Sequence, residues 1–467
     1  MHLNNYDTIA AISTPIGEGG ISVIRISGDK AFEKISEIFF KDKTAKNNFD
    51  ISLLNSHTIH FGYVFNNNEI QKELQKELID EAVVSVFKNP SSYTGEDVLE
   101  LSSHGGVFVT QKVLNVILSL GIRHAEPGEF TKRAFLNGKI DLSQAEAVAD
   151  LIKSKTDSAH QSSIKQLEGS LSNFVKKTRQ DLINLTSLVE LELDFAEEDL
   201  EFVKKDELKK NIQSLIKKIE GIIDSYISGK VIREGVNLVI VGQPNSGKSS
   251  LFNYLLKTNR AIVSNIEGTT RDYIQENLII NGVLFNLIDT AGLRFSEDEI
   301  ESEGIKRSYE KISEADLILY LIDASDSQEK INESLKYYEK HIDENKSILV
   351  YTKTDKAEKF DSNELSISLV KDDSIEAMKK VMSDKVAGKG ISSGSAEIVL
   401  TNLRHKVCLE NVLASLNNAV NTIDDKMSGE FISVDFRNAM KYLGEITGEI
   451  TNDEILNNIF ANFCIGK

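Results

Sequence analysis

The chain has 467 residues, 40% of them hydrophobic, too many for one core and enough to fill about three domains of ordinary size. A formal net charge of −18 and a pI of 5.1 exclude a protein that coats nucleic acid through a general basic surface, so any RNA contact must be local or shared with a partner. The two cysteines, Cys408 and Cys464, give neither a disulfide framework nor metal-ligand spacing. The start, MHLNNYDTIAAISTPIGEGG, lacks the basic and apolar regions of a targeting segment, and no apolar run approaches the ~20 residues that span a bilayer. A cytoplasmic protein with no membrane partner is expected.

From Asp7 to about Leu120, short β-rich runs (ISVIRIS, AVVSVF, VLELSS) alternate with amphipathic helical stretches and glycine-bearing turns, which predicts a compact α/β domain. From about Pro127 to Gly235 the period becomes helical, as in LSQAEAVADLIKSK, LSNFVKKTRQDLINLTSLVELELDF and LKKNIQSLIKKIEGIIDSYI. Strands and helices alternate again from Val236. Helical periodicity returns from about Glu397 to Phe463, in VLTNLRHKVCLENVLASLNNAVNTI and ISVDFRNAMKYLGEIT. Helices on both sides of an α/β stretch predict one helical bundle assembled from two segments, with the α/β unit inserted as a module. The fold class is therefore multidomain, α/β plus all-α. Expected boundaries are 1–125 for the N-terminal domain, 126–234 and 386–467 for the split bundle, and 235–385 for the insert. The acidic run at Glu197, Glu198 and Asp199 reads as solvated surface.

VNLVIVGQPNSGKSSLFNYLL is a strand, a glycine-rich loop and a helix start, the context in which G-x-x-x-x-G-K-[ST] marks a phosphate loop. Gly242 and Gly247 let backbone amides close around a β-phosphate, and Lys248 brings charge to the β- and γ-phosphates. Ser249 is placed for Mg2+, and Asn245, Ser246 and Ser250 complete the nucleotide-binding run. In FNLIDTAGL, Asp289 ends a strand where it can take a Mg2+-bound water, and Thr290, Ala291 and Gly292 follow beside the γ-phosphate. Between the two motifs, EGTTRD offers Thr269 and Thr270 in a loop able to close on nucleotide and relax after hydrolysis.

Base choice is expected at YTKTD, where Asp355 accepts two hydrogen bonds that guanine offers and adenine does not. Lys353 belongs to the same motif. Thr352 stands where the usual pattern begins with Asn, which alters one contact between loops. Ser366, Ile367 and Ser368 form a later S-x-S segment that can reach the base through backbone groups. After DTAG comes Leu293, whose apolar side chain cannot hold an attacking water as a Gln does. The acids available nearby are Glu297, Asp298, Glu299, Glu301 and Glu303, and spacing does not choose among them. The insert thus reads as a Ras-like GTP-binding and GTP-hydrolysing domain.

Over essentially the whole chain the sequence resembles the MnmE (TrmE) family of tRNA modification GTPases. The resemblance rests on DTIAAISTPIGEGGISVIRISG, SYTGEDVLELSSHGG, EPGEFTKRAFLNGKIDLSQAEAVADLI and the terminal FCIGK, besides the nucleotide motifs. It implies an N-terminal domain that binds 5-formyl-tetrahydrofolate or a related folate and dimerises, a split helical domain and an inserted G domain. It also implies a partner, an FAD protein of the MnmG (GidA) type, joined in a heterotetramer that modifies carbon 5 of the wobble uridine in certain tRNAs. Asn245 then matches a K+ ligand, with Ser264, Ile266 and Thr269 completing its shell. Thr270 joins Ser249 on Mg2+, and Glu301 matches the catalytic acid that works with Lys248. Arg25, Glu100, Lys139 and Lys467 match folate-contacting positions, their charges suited to folate carboxylates and a pterin amine edge. The competing expectation is a regulatory GTPase switch in ribosome assembly or signalling, which leaves the folate segments and the CIGK end unexplained.

Overall fold

The computed structural model describes residues 7–46, 49–70, 73–194, 205–260, 275–288, 312–357, 364–387 and 398–467. They form two compact units, each discontinuous in sequence. Unit 1 comprises Met1–Ala149, Leu167–Val175 and Gly444–Lys467; unit 2 comprises Asp150–Gln166 and Lys176–Leu443. No helix among the described residues is long and apolar enough to cross a membrane.

Unit 1 carries a sheet of β1 (Ile9–Ile12), β2 (Gly19–Ser27), β3 (Phe39–Phe40), β4 (Thr58–Ile70), β5 (Glu73–Phe87), β6 (Val98–Gly105) and β7 (Arg123–His124). Their order is β3-β4-β5-β6-β2-β1-β7, antiparallel except where β7 runs parallel to β1. Successive side chains on a strand face opposite sides. Ile24, Ile26, Leu99 and Leu101 therefore bury in one core, with Ala31 and Ile35 of α1 (Ala31–Ser36) and Val113 and Ile117 of α2 (Val107–Ser119). Arg25 and Glu100 lie between them on the other face, directly opposite each other in the β2–β6 register.

Two further helices follow, α3 (Glu129–Leu136) and α4 (Leu142–Lys153). A reciprocal cap starts α4: Asp141 Oδ1 accepts the Gln144 amide at 3.0 Å while Gln144 Oε1 accepts the Asp141 amide at 3.0 Å. The residues around Gly466 return to β1. Ser13 Oγ donates to the Gly466 carbonyl at 3.1 Å. Gly466 has φ +92° and a Cβ there would lie 2.2 Å from the Ile12 carbonyl oxygen, so no side chain fits.

The remaining helices in chain order are α5 (Asp157–Leu167), α6 (Ser170–Asp194), α7 (Lys205–Asp224), α8 (Tyr226–Glu234), α9 (Lys248–Asn259), α10 (Gln328–His341), α11 (Asp372–Ala387), α12 (Leu403–Asp424), α13 (Gly429–Thr447) and α14 (Asp453–Ala461). On α7, Leu208, Ile212, Leu215 and Ile219 recur at helical spacing and are buried. The periodic run from Val399 becomes helix only at Leu403, because the Asn402 side chain accepts the Arg404 amide at 2.9 Å and caps it there.

Unit 2 also holds the sheet that positions the site: β8 (Val236–Gly242), β9 (Gln275–Ile280), β10 (Val283–Ile288), β11 (Leu317–Asp323), β12 (Ser347–Thr352) and β13 (Leu365–Ser366). The order is β13-β12-β11-β8-β10-β9, parallel except for the β9–β10 pair. Parallel strands covered on both faces read as unbroken apolar runs, and every residue of β11 is buried. Leu238, Ile240, Leu319 and Leu321 pack with Leu251 of α9 and Met378 of α11. Val239, Ile318 and Tyr320 pack on the opposite face with Tyr338 of α10. In such sheets ligands collect beyond the carboxyl ends of the strands.

Candidate nucleotide-binding site

β8 delivers the chain to that carboxyl edge at Gly242. Its φ is +155°, and a Cβ would meet the Leu321 carbonyl oxygen at 2.4 Å and Ser246 Oγ at 2.7 Å. Glycine is therefore required where the strand turns into the loop. Asn245 (φ 65°) and Gly247 (φ 89°, the N-cap of α9) also take left-handed backbone, at a cost of about 1 kcal/mol for a non-glycine residue. Successive turns of this hand aim amides inward and form an anion-binding concavity at the helix N-terminus. Lys248 Nζ lies in it, donating to the carbonyls of Gly242 at 2.9 Å and Gln243 at 2.7 Å. Burial pushes this ammonium below its ordinary pKa, so a phosphate beside it restores the charge that burial disfavours. Ser249 and Ser250 are exposed in the first turn of α9, and Ser246 is buried.

β12 supplies the second loop. The Thr352 hydroxyl lies 2.8 Å from the Ser246 carbonyl and 3.2 Å from that of Ile322, so the threonine keeps a contact with the phosphate loop. Lys353, at φ 54°, donates to the Asn245 carbonyl at 2.7 Å. Asp355 is exposed, and Ser368 Oγ donates to its Oδ1 at 2.8 Å. That hydrogen bond holds the Asp355 carboxyl below its ordinary value. Ser368 is buried and its amide donates to Ser374 Oγ at 3.0 Å. Ser366 pairs with Tyr351 in β13, and the Ile367 amide donates to the Tyr351 carbonyl at 2.7 Å. The residues brought together are thus Gly242, Asn245, Ser246, Gly247 and Lys248 with Thr352, Lys353 and Asp355. Ser264, Ile266, Thr269, Thr270, Asp289, Thr290, Ala291, Gly292, Leu293 and the acids from Glu297 to Glu303, Glu301 among them, lie outside the described residues.

Two contributors were not read from the sequence. The Ser368 side chain, not only the backbone of its segment, aims Asp355; its signal was a hydroxyl following a short strand. Asp323 meets Lys353, and its signal was an acid closing the wholly apolar run LILYLI.

A second polar cluster stands on the Arg25–Glu100 face in unit 1. Arg25 Nη2 and Nε both donate to Glu100 Oε1, at 2.8 and 3.0 Å, and Nη1 reaches the Gly466 carbonyl at 3.4 Å. The guanidinium lies 5.0 Å from the Tyr93 ring centroid and 5.7 Å from that of Phe130. The half-buried Lys467 ammonium is pushed down by burial and by Arg25, with Glu100 and Cys464 acting in the opposite sense. Arg25, Glu100 and Lys467 are thereby neighbours. Lys139 instead donates to the Pro90 carbonyl at 3.0 Å and packs along Gly95, at the loop that supplies Tyr93.

A family model described as the MnmE helical domain matches residues 142–464, and one described as the GTP-binding protein TrmE N-terminus matches residues 8–139. Among curated relatives, the tRNA modification GTPase MnmE of Alkaliphilus metalliredigens is 42% identical over 99% of this chain and 99% of its own. That of Clostridioides difficile is 41% identical with the same coverage, and that of Christiangramia forsetii 40% identical over the full length of both. Among solved structures, the G domain of the T. maritima FeoB iron transporter is 26% identical, with 33% of this chain and 98% of that one covered and a TM-score of 0.23.

Proposed function

We propose that this chain, which belongs to the MnmE (TrmE) family of tRNA modification GTPases, is a K+-activated member that couples GTP hydrolysis to modification of the wobble uridine. It is a GTP hydrolase, built as an N-terminal α/β domain, a helical domain and an inserted G domain. The observation that carries the reading is the phosphate loop: three left-handed residues around a half-buried Lys248, tied through Thr352 and Lys353 to the loop whose Asp355 is aimed by Ser368.

Lys248 draws the β- and γ-phosphates into the loop, and Asp355 selects guanine. Ser249 and Thr270 are the residues to hold Mg2+, with Asp289 behind a bound water; Asn245, with Ser264, Ile266 and Thr269, is the set to hold K+. When bound, the two cations offset charge that gathers on the phosphate oxygens during transfer. Thr290, Ala291, Gly292, Ser246, Gly247 and Ser250 line the phosphates, and Ser366 to Ser368 flank the base. Glu301 positions the attacking water, a task Leu293 cannot perform, when two G domains of a homodimer meet.

Arg25, Glu100, Lys139 and Lys467 would hold a folate of the 5-formyl-tetrahydrofolate type. The fit is chemical: cations for its carboxylates, an acid for its amine edge and the Tyr93 ring beside Arg25 for a flat ring system. When bound, it would supply a one-carbon unit. An FAD protein of the MnmG type completes a cytoplasmic heterotetramer on tRNA. The proposed domains are 1–125, 126–234 with 386–467, and 235–385.

The test is GTP turnover in K+ and in Na+ at matched ionic strength, for the wild type and Asn245→Ala. The expected outcome is stimulation by K+ of at least about tenfold, lost in Asn245→Ala. Turnover indifferent to the cation would leave a GTPase without the K+ step.

A further inference from the structure

Asp323 ends β11 at the carboxyl edge of the sheet and is 7% exposed. Its Oδ1 accepts the Ser325 amide at 2.9 Å and the Ser325 hydroxyl at 2.6 Å, which fixes the carboxylate plane. Its Oδ2 receives Lys353 Nζ at 2.5 Å. The same ammonium donates to the Asn245 carbonyl at 2.7 Å. One lysine head therefore bridges a carboxylate rooted in the core strand and a carbonyl of the phosphate loop. Both Lys353 and Asn245 stand in left-handed backbone, a conformation that persists only where surrounding contacts enforce it. A lysine stem has four rotatable bonds and grips a neutral carbonyl loosely. A carboxylate on its other side removes that freedom.

We propose that Asp323 is a positioning residue: by fixing the Lys353 ammonium against the Asn245 carbonyl, it holds the Asn245 peptide, and hence its side chain, where a monovalent cation is ligated. The proposal deepens the cation reading above and rests on it. It makes base recognition and cation binding one coupled event, because the loop that reads guanine also braces the cation ligand. Linkage then requires reciprocity, with K+ tightening GTP by the factor by which GTP tightens K+.

The experiment uses the full-length protein and titrates K+ at saturating GTP and constant ionic strength. Asp323→Asn is expected to raise the K+ concentration for half-activation roughly tenfold, the scale for losing one charge-assisted hydrogen bond, and Asp323→Glu to recover part of it. Lys353→Met should give a similar shift, and the double variant no more than either single, as required of two groups acting through one contact. A purely structural role would lower the melting temperature and the active fraction without moving half-activation. If the wild type responds to K+ and Asp323→Asn half-activates within twofold of it, the proposal is overturned and the cation reading stands. If the wild type ignores K+, both fall. Should Asp323→Asn not fold, Lys353→Met decides in the same way.

Discussion

The Thr352 hydroxyl has two carbonyls in reach, Ser246 at 2.8 Å and Ile322 at 3.2 Å, and one proton to give. An asparagine amide carries two. Thr352→Asn is expected to satisfy both carbonyls and strengthen GDP binding by about fivefold, the scale of one neutral hydrogen bond at about 1 kcal/mol. Equilibrium GDP titration checks it. Weaker binding would mean that the site, 5% exposed, is packed too tightly for the longer side chain. The departure at Thr352 was legible in the sequence, as were Gly242, Lys248 and Asp355, because the phosphate and base motifs have fixed spacings. Their supports were not. Asp323 and Thr352 meet their partners only after β8, β11 and β12 have paired, and Ser368 meets Asp355 only after β13 has joined β12, adjacencies that no local pattern encodes.

Helix α8 leads directly into β8 and shows how differently one residue type can serve two helices. The Leu400 amide donates to Ser225 Oγ at 3.0 Å, and a Cβ on Gly229 of α8 would fall 2.1 Å from the Leu400 carbonyl oxygen. On α7, Gly221 has no atom within 4 Å of the same added carbon. Gly229→Ala must push α8 off the segment that re-enters the bundle, at a cost of about 2 kcal/mol or more. Gly221→Ala should stabilise by about 0.5–1 kcal/mol through helix propensity. Urea unfolding of the two variants against the wild type reads both signs, and a harmless Gly229→Ala would refute the close approach. The runs ISVIRIS, AVVSVF and VLELSS became β2, part of β5 and β6, and LSQAEAVADLIK became α4. The two-residue strands β3 and β7 carry no period of their own and arise only by pairing with β4 and β1.

In unit 1 five charged groups converge: Asp7, Glu96 and, from one stretch of chain, Arg123, Glu129 and Arg133. Arg133, 1% exposed, donates to Asp7 Oδ1 at 2.8 Å, Glu129 Oε1 at 2.9 Å and Glu96 Oε2 at 3.1 Å, and Arg123 donates to Glu129 Oε1 at 2.6 Å. Burial raises the Glu129 carboxyl, but hydrogen bonds from Arg123, the Glu126 amide and Arg133 outweigh it and leave the group below its ordinary 4.5. Asp7, with burial likewise offset by Arg123 and Arg133, lies below 3.8. Because both folded values are depressed, their stabilisation is complete above the ordinary values and lost as pH falls through the lowered ones. Glu129→Ala, which strips a partner from a buried guanidinium, is expected to cost about 3 kcal/mol at pH 7. Its deficit against the wild type should shrink as the pH is taken from 7 down through the lowered value, where the wild-type carboxylate also protonates. Urea midpoints at both ends of that range test this, and a deficit independent of pH would assign the loss to packing alone. Read singly in the sequence, each of these residues is an ordinary surface charge.

The hydrogen bond from Ser13 to Gly466 spans 453 positions of chain, and it sets a clock. At a synthesis rate of about 5–20 residues per second, Ser13 is made about 20–90 s before Gly466. Unit 2 ends at Leu443, so its whole sequence is made first. While the intervening residues are made, the sheet of unit 1 therefore waits, with the backbone at Ile12 and Ser13 lacking the segment around Gly466 that later closes over it.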